Sequence, residues 1–362
     1  MDTEDILLSN KPALFTLAQM PAINFRHIYN LTDHTGILQH ALFDMPNRKE
    51  GYCIDDNARA LLWAVWACKN IKKDQIAAQH LPVYLSFIHY MQNEDGYFRN
   101  FLSYTRESTE ERGSEDSFGR TMMALGYLIN EGPTNLLVKT AQEIFSKAYP
   151  HVSELTSPRG IANTIIGICQ FIKYHYPDDR KIVTVMDLSD KLVSMYNDNN
   201  SSDWHWFESV LTYDNAMLPL ALLNAFEITQ NEEYLTIALQ SMNFLESKVF
   251  YNDTLRPIGN DGWHKRGEPG AQFDQQGIDA MAMVLFYQQA FRITREEIYQ
   301  TRMYKSYQWF LGDNDLGLSL YDLSTGGCAD GLHSEGINLN QGAESTLAYW
   351  ISHLVVVSTL RE

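Results

Sequence analysis

The chain has 362 residues, 45% hydrophobic and 12% aromatic, enough to build a large core, and sets 45 Asp and Glu against 28 Lys and Arg. The resulting formal charge of −17 argues against nucleic acid or an anionic membrane as partner. No apolar run is long enough to span a bilayer, and the opening MDTEDILLSN lacks the basic-then-apolar layout of a secretory signal. Cys53, Cys68, Cys169 and Cys328 form no CxxC or regular spacing, which suits reduced thiols and a cytoplasmic location.

In chain order, residues 23–40 open the architecture as an outer helix. GYCIDDNARALLWAVWA from Gly51 follows, apolar nearly all round behind an acidic start, the pattern of a helix buried between other layers. Gln75–Met91 carries one apolar stripe, as an outer helix should. The alternation then repeats. SEDSFGRTMMALGYLI from Ser114 is followed by Asn135–Ala148, and SPRGIANTIIGICQFI from Ser157 by 180–196. ESVLTYDNAMLPLALLNAF from Glu208 is followed by Glu232–Val249, and FDQQGIDAMAMVLFYQQAF from Phe273 by 295–311. NLNQGAESTLAYWISHLVV from Asn338 closes the series.

A helix pair recurring about every 45–70 residues predicts a closed or stacked helical array. The expected fold is all-α, with six inner and six outer helices. No Pro/Gly/Ser-rich linker interrupts the repeat, so residues 1–362 are expected to form one domain. In a closed ring the N-terminal ends of the inner helices share one mouth. Aromatic, polar loops would surround it: NEDGYFRNF from Asn93, NSSDWHWFES from Asn200, GNDGWHKRGEPG from Gly259 and GLSLYDLSTGGCADGLHSEG from Gly317. Long loops in a compact domain are usually functional.

This pattern resembles the (α/α)6 toroid of the six-hairpin glycosidase superfamily over almost the whole chain. HIYNLTDHTGILQHALFDMPNRKEGYCIDDNARALL is similar to bacterial toroid domains that stand alone or are appended to sugar-nucleotide glycosyltransferases. The chain itself has no GxGxxG and no alternating βαβ pattern, so a transferase reading is excluded. The resemblance implies carbohydrate chemistry on a neutral oligosaccharide, with a functional association with a glycosyltransferase as a further possibility.

Cleaving a glycosidic bond takes one carboxyl to protonate the leaving oxygen and a second to activate water or attack the anomeric carbon. Asp56, Asp116, Asp214 and Glu344 stand at starts of expected inner helices. Glu344 and Asp56 are the expected acid/base pair, because the first and last inner helices become neighbours when a ring closes. Asp116 and Asp214 are the reserves. An Asp at a helix start also serves as an ordinary cap; Glu344 does not fit that role. The adjacent Asp55 and Asp56 resemble the paired aspartates of α-1,6-mannanases of this fold, which implies an α-mannoside. Arg59 and Arg120 read as ion-pair partners of Asp56 and Asp116.

Trp204, Trp206 and Trp263 are expected to stack on a pyranose face. His205, Glu208, His264, His34, Asp55, Asp274, Gln275 and Gln341 complete the expected sugar-facing set. No cofactor and no metal is expected. His34 and His40 are six apart, without an accompanying ligand set, and DNDLG from Asp313 lacks the Gly and terminal acid of a calcium loop, with Leu318 and Ser324 in their places. Three alternatives to hydrolysis stay open. A sugar 2-epimerase would use His205, His264 or His333 for proton transfer. A glycoside phosphorylase would receive phosphate on Lys265, Arg266 or Arg159. A non-catalytic glycan-binding accessory would bind without turnover.

Overall fold

The computed structural model describes residues 19–71, 75–174 and 178–361. Six helices line its centre: α2 (Ile54–Asn70), α4 (Glu115–Glu131), α6 (Pro158–Tyr174), α8 (Met217–Thr229), α10 (Gly277–Thr294) and α12 (Ala343–Thr359). Each packs on the next, and α12 packs back on α2, so the ring closes. Around it lie α1 (Arg26–Leu31), α3 (Gln75–Met91), α5 (Asn135–Ala148), α7 (Asp179–Asn199), α9 (Glu232–Val249) and α11 (Glu297–Gln308). Each of α3 to α11 packs on the inner helix before it, and α1 packs on α12. The architecture is the (α/α)6 toroid. Among the described residues, strands occur only as five antiparallel pairs of two or three residues each, in the connecting loops, and no helix is long and apolar enough to cross a membrane.

Burial follows the sequence pattern. Of the fourteen positions of α2 from Ile54 to Ala67, thirteen are buried and Asp55 is partly so, whereas α5 buries only Val138, Ala141, Ile144, Phe145 and Ala148. The second set is the i, i+3, i+4 stripe of a helix with one face on a core. Local chemistry fixes where the inner helices begin. Ser114 Oγ accepts from Ser117 N to start α4, and Cys53 Sγ accepts from Asp56 N to start α2, each satisfying a backbone donor the helix leaves free.

Two expected spans are shorter in the structure. The outer element expected over 23–40 is helical only over Arg26–Leu31. Asp33 Oδ1 then accepts from Thr35 N at 2.7 Å and Gly36 N at 3.4 Å, a side-chain turn that competes with the helix. The fourth inner helix begins at Met217 rather than near Glu208, because Val210–Leu211 pairs with His264–Lys265. Asp214, just before it, is left-handed at φ 53°.

α4 and α6 approach most closely, through facing glycines. A Cβ on Gly126 would stand 2.2 Å from the carbonyl oxygen of Gly167, and one on Gly119 would stand 2.3 Å from that of Gly160. These obstacles are backbone atoms, which no side-chain rotation relieves. Gly126→Ala is therefore expected to lower stability by about 1–3 kcal/mol, read as a reduced urea midpoint. An unchanged midpoint would mean the two helices part freely.

Candidate active site

The N-terminal turns of α2, α4, α8 and α12 bring acids and arginines to one mouth of the ring. A cavity of about 300 Å³ there is lined by Asp55, Asp56, Arg59, Arg120, Asp330 and Glu344, among others. Arg59 bridges two of the acids, with Nη1 to Asp56 Oδ1 at 2.9 Å and Nη2 to Glu344 Oε2 at 2.8 Å. Arg120 bridges two more, with Nη1 to Asp55 Oδ1 at 2.7 Å and Nη2 to Asp214 Oδ2 at 2.8 Å. The mouth is thus two arginines, from α2 and α4, laced by four carboxylates drawn from α2, α12 and the loop before α8.

The acids differ in environment. Asp56 is buried, and burial pushes its carboxyl up to about 6; Arg59 opposes the shift, while Glu344 and Asp55 add to it. Its Oδ2 accepts from the Cys53 thiol at 3.0 Å. Burial, reinforced by Asp56, pushes that thiol well above its ordinary range, so it stays a donor. Glu344, by contrast, keeps 40% of its side chain exposed. Asp214 is 1% exposed, and its Oδ1 has no hydrogen-bond partner among the described residues. Behind it Asp279 Oδ1 accepts from Asp214 N at 2.8 Å. Burial, then the charge of Asp214, pushes Asp279 well above the usual carboxylate range.

None of Asp56, Asp116, Asp214 and Glu344 is its own helix's cap. Cys53 and Ser114 cap α2 and α4, so Asp56 and Asp116 lie inside the first turns; α8 and α12 begin at Ala216 and Gly342 without side-chain caps. Asp116 stands apart from the cavity lining. Its carboxylate accepts from Ser157 Oγ and from the Tyr213 phenol. Arg120 therefore reaches across the ring to Asp55 and Asp214, not to Asp116 as expected. Tyr213 lies 6.1 Å, centroid to centroid, from Trp263, which is half-buried. Tyr213 and Trp263 put aromatic surface beside Asp116.

Several expected sugar ligands lie elsewhere. Trp204 and Trp206 are buried at 3% and 0% exposure, packed on Phe244 of α9. Their loop alternation arises from packing on an outer helix, not from a cleft wall. His205 bonds Asn200 Oδ1 at 2.7 Å, and His264 packs edge-on to Trp204 at 5.7 Å. Glu208 pairs with Arg159 at 2.9 Å. Arg159 also donates to Tyr213 O, Thr212 Oγ1 and Asn215 Oδ1, which engages all three of its guanidinium nitrogens. Gln275 is spent on Trp309 Nε1 and Asp315, and Gln341 on Thr325 and Asp322. Asp274 bonds His333 Nδ1 at 2.6 Å. His34 is exposed beside Thr35, Tyr90 and Arg106, outside the carboxylate cavity.

Other residues of the mouth lie outside the expected sugar-facing set, although His40 stands out beside His34 and Asp330 lies in a loop expected there. Gln39, His40, Gln276 and Ser345 line the cavity. Asp330 Oδ1 accepts from Gly342 N and Ser345 Oγ, both at 2.7 Å. It thereby ties the start of α12 to a neighbouring loop and sets the position of Glu344; burial pushes its carboxyl up. Asp279 is different, because an acid opening an apolar run was the criterion that selected Asp56 and Asp116.

No family model matches this chain, and no curated protein is similar to it. Solved structures do share its toroid. A sugar epimerase from a ruminal bacterium matches at TM-score 0.72 and 9% identity, over 92% of this chain and 95% of its own. A D-mannose isomerase matches at TM-score 0.71 and 10% identity, over 92% and 95%. A GH76 α-mannanase of Bacteroides thetaiotaomicron matches at TM-score 0.67 and 12% identity, over 92% and 93%.

Proposed function

We propose that this toroid is one catalytic domain and that it hydrolyses a short neutral oligosaccharide, of manno configuration, at the carboxylate mouth. Asp56 supplies the proton and Glu344 the anionic base or nucleophile. The observation carrying this reading is that Arg59 holds a buried carboxyl pushed to about 6 beside a half-exposed one. Two carboxyls in unlike environments are what acid and base roles on one bond require. Arg59 Nη2 holds Glu344 in place at 2.8 Å, and Asp330 acts as its positioning residue through α12. Supporting the substrate class, a mannanase and a mannose isomerase have the same fold.

The second reading is sugar epimerisation, favoured by His40 at the same cavity and by the epimerase of like fold. Incubation with neutral di- and trisaccharides, with and without phosphate, tests both. Hydrolysis releases new reducing ends independently of phosphate. Epimerisation changes the sugar without releasing a fragment, and phosphate-dependent release would replace hydrolysis by phosphorolysis.

A proton donor at Asp56 has a pH signature. The group is protonated below about 6 and loses that proton as pH rises through about 6, so kcat is expected to fall over that interval. Asp56→Asn should abolish this limb of the profile. A limb that survives the substitution assigns the proton to another group. Trp263→Ala is expected to raise KM more than it lowers kcat, because a stacking surface binds ground and transition states alike. An equal loss in kcat would place Trp263 in the chemistry instead.

A further inference from the structure

The ring has a second mouth, where the C-terminal halves of the six inner helices enclose a cavity of about 400 Å³. Each inner helix gives its floor at least one aliphatic side chain, among them Leu62, Met123, Ile166, Leu220, Leu285 and Leu354. Above the floor runs a belt of neutral polar groups, again with every inner helix represented: Asn70, Asn130, Gln170, Asn224, Gln289 and Ser358. Trp66 and Tyr127 line the wall, edge to face at 5.0 Å. None of these residues takes part in the carboxylate mouth.

The belt is only half satisfied by the protein. Asn70 Nδ2 donates to Trp66 O and Asn224 Nδ2 to Leu220 O, both at 2.9 Å. Asn130 Nδ2 donates to Gln170 Oε1 at 2.9 Å, and Gln289 Nε2 to Glu227 at 2.7 Å. Among the described residues no hydrogen bond reaches the carboxamide oxygens of Asn70, Asn130, Asn224 or Gln289. Asn224 and Gln289 are 3% and 8% exposed, yet neither oxygen is among the side-chain atoms closed to solvent without a partner, so what exposure they keep is onto the cavity. Those oxygens offer acceptors to a donor in that space.

Charge does not favour an ion there. Lys69 pairs with Glu131 at 2.6 Å and Lys173 with Glu227 at 2.8 Å. Arg361 donates to Asn70 O at 2.9 Å, and Arg292 is likewise engaged. Helix C-termini add partial negative charge against these cations. Carboxamides both donate and accept, and aromatic and aliphatic surface suits the C–H faces of a sugar. The volume is that of a small-molecule site. We propose that this second cavity binds a neutral mono- or disaccharide, separately from the catalytic mouth and whatever reaction occurs there.

Tryptophan fluorescence of the full chain, titrated with D-mannose, D-glucose, cellobiose and α-mannobiose, tests this. A saturable change is expected with at least one sugar. It should persist in Glu344→Gln, disappear in Trp66→Phe, and need about 10-fold more sugar in Gln289→Met, the effect of one lost buried hydrogen bond. A measurement on the unaltered protein guards against misfolding of either variant: the same sugar should slow acetylation of Lys69 and Lys173. A signal unchanged by both cavity substitutions overturns the proposal, as does a panel with neither saturable change nor lysine protection. Because the readout is binding, failure of hydrolysis at the other mouth leaves this result unaffected.

Discussion

Glu344→Gln and Asp56→Asn are each expected to lower turnover by about 10²–10⁴-fold, the usual worth of general acid–base assistance, while sugar affinity stays close to wild type. Both substitutions keep the side chain's shape. In Asp56→Asn the new amide meets Arg59 Nη1 and the Cys53 thiol where a carboxylate stood, so the proton is lost with little change in volume. In Glu344→Gln the half-exposed end still reaches Arg59 Nη2 through its oxygen. The measurement is kcat on the sugar that gives reducing-end release, together with equilibrium binding of that sugar. Near-normal turnover in both variants would displace the pair and move attention to His40 and epimerisation. A fall in affinity as large as the fall in rate would show that the two residues hold the substrate rather than transform it.

Arg120→Met carries the largest expected effect on stability. Arg120 is 6% exposed and pairs with Asp214, which is 1% exposed. Burial works against the guanidinium's charge, yet Asp55 and Asp214 hold it charged, well above its ordinary range. Removing the arginine leaves Asp214 buried beside Asp279 with no cation, a situation that costs about 3–5 kcal/mol. Chemical denaturation should show that loss. The double variant Arg120→Met/Asp214→Asn should recover much of it, since the stranded charge is then gone. A single variant that costs no more than about 0.5 kcal/mol, the range of an ordinary surface change, would mean that water or another group compensates Asp214. Failure of the double variant to recover would place the cost in lost packing.

What the sequence determined by itself was the ring. Inner helices apolar on every side and outer helices with one stripe can bury their surfaces together only in concentric layers. Gln75–Met91, Asn135–Ala148 and Glu232–Val249 are helices over the spans their periodicity predicts. Asp55, Asp56 and Glu344 were legible as neighbours because ring closure alone brings α12 against α2.

The tertiary structure decided the rest, and the reason is that contact across the ring has no periodicity. Which acid Arg120 meets depends on a reach from α4 to α2 and to the loop before α8, not on the three- or four-residue spacing along its own helix. Trp204 and Trp206 belong to the core because α9 presents Phe244 beneath their loop, a partner some forty residues away in sequence. Asp330 reaches α12 from a loop expected at the mouth, but nothing along that loop singles out this acid from Asp322. The carboxamide belt of the second mouth is a layer with one or two residues per helix, scattered from Asn70 to Ser358. Within any single helix each of them is an ordinary polar residue, and only closure of the ring makes them one surface.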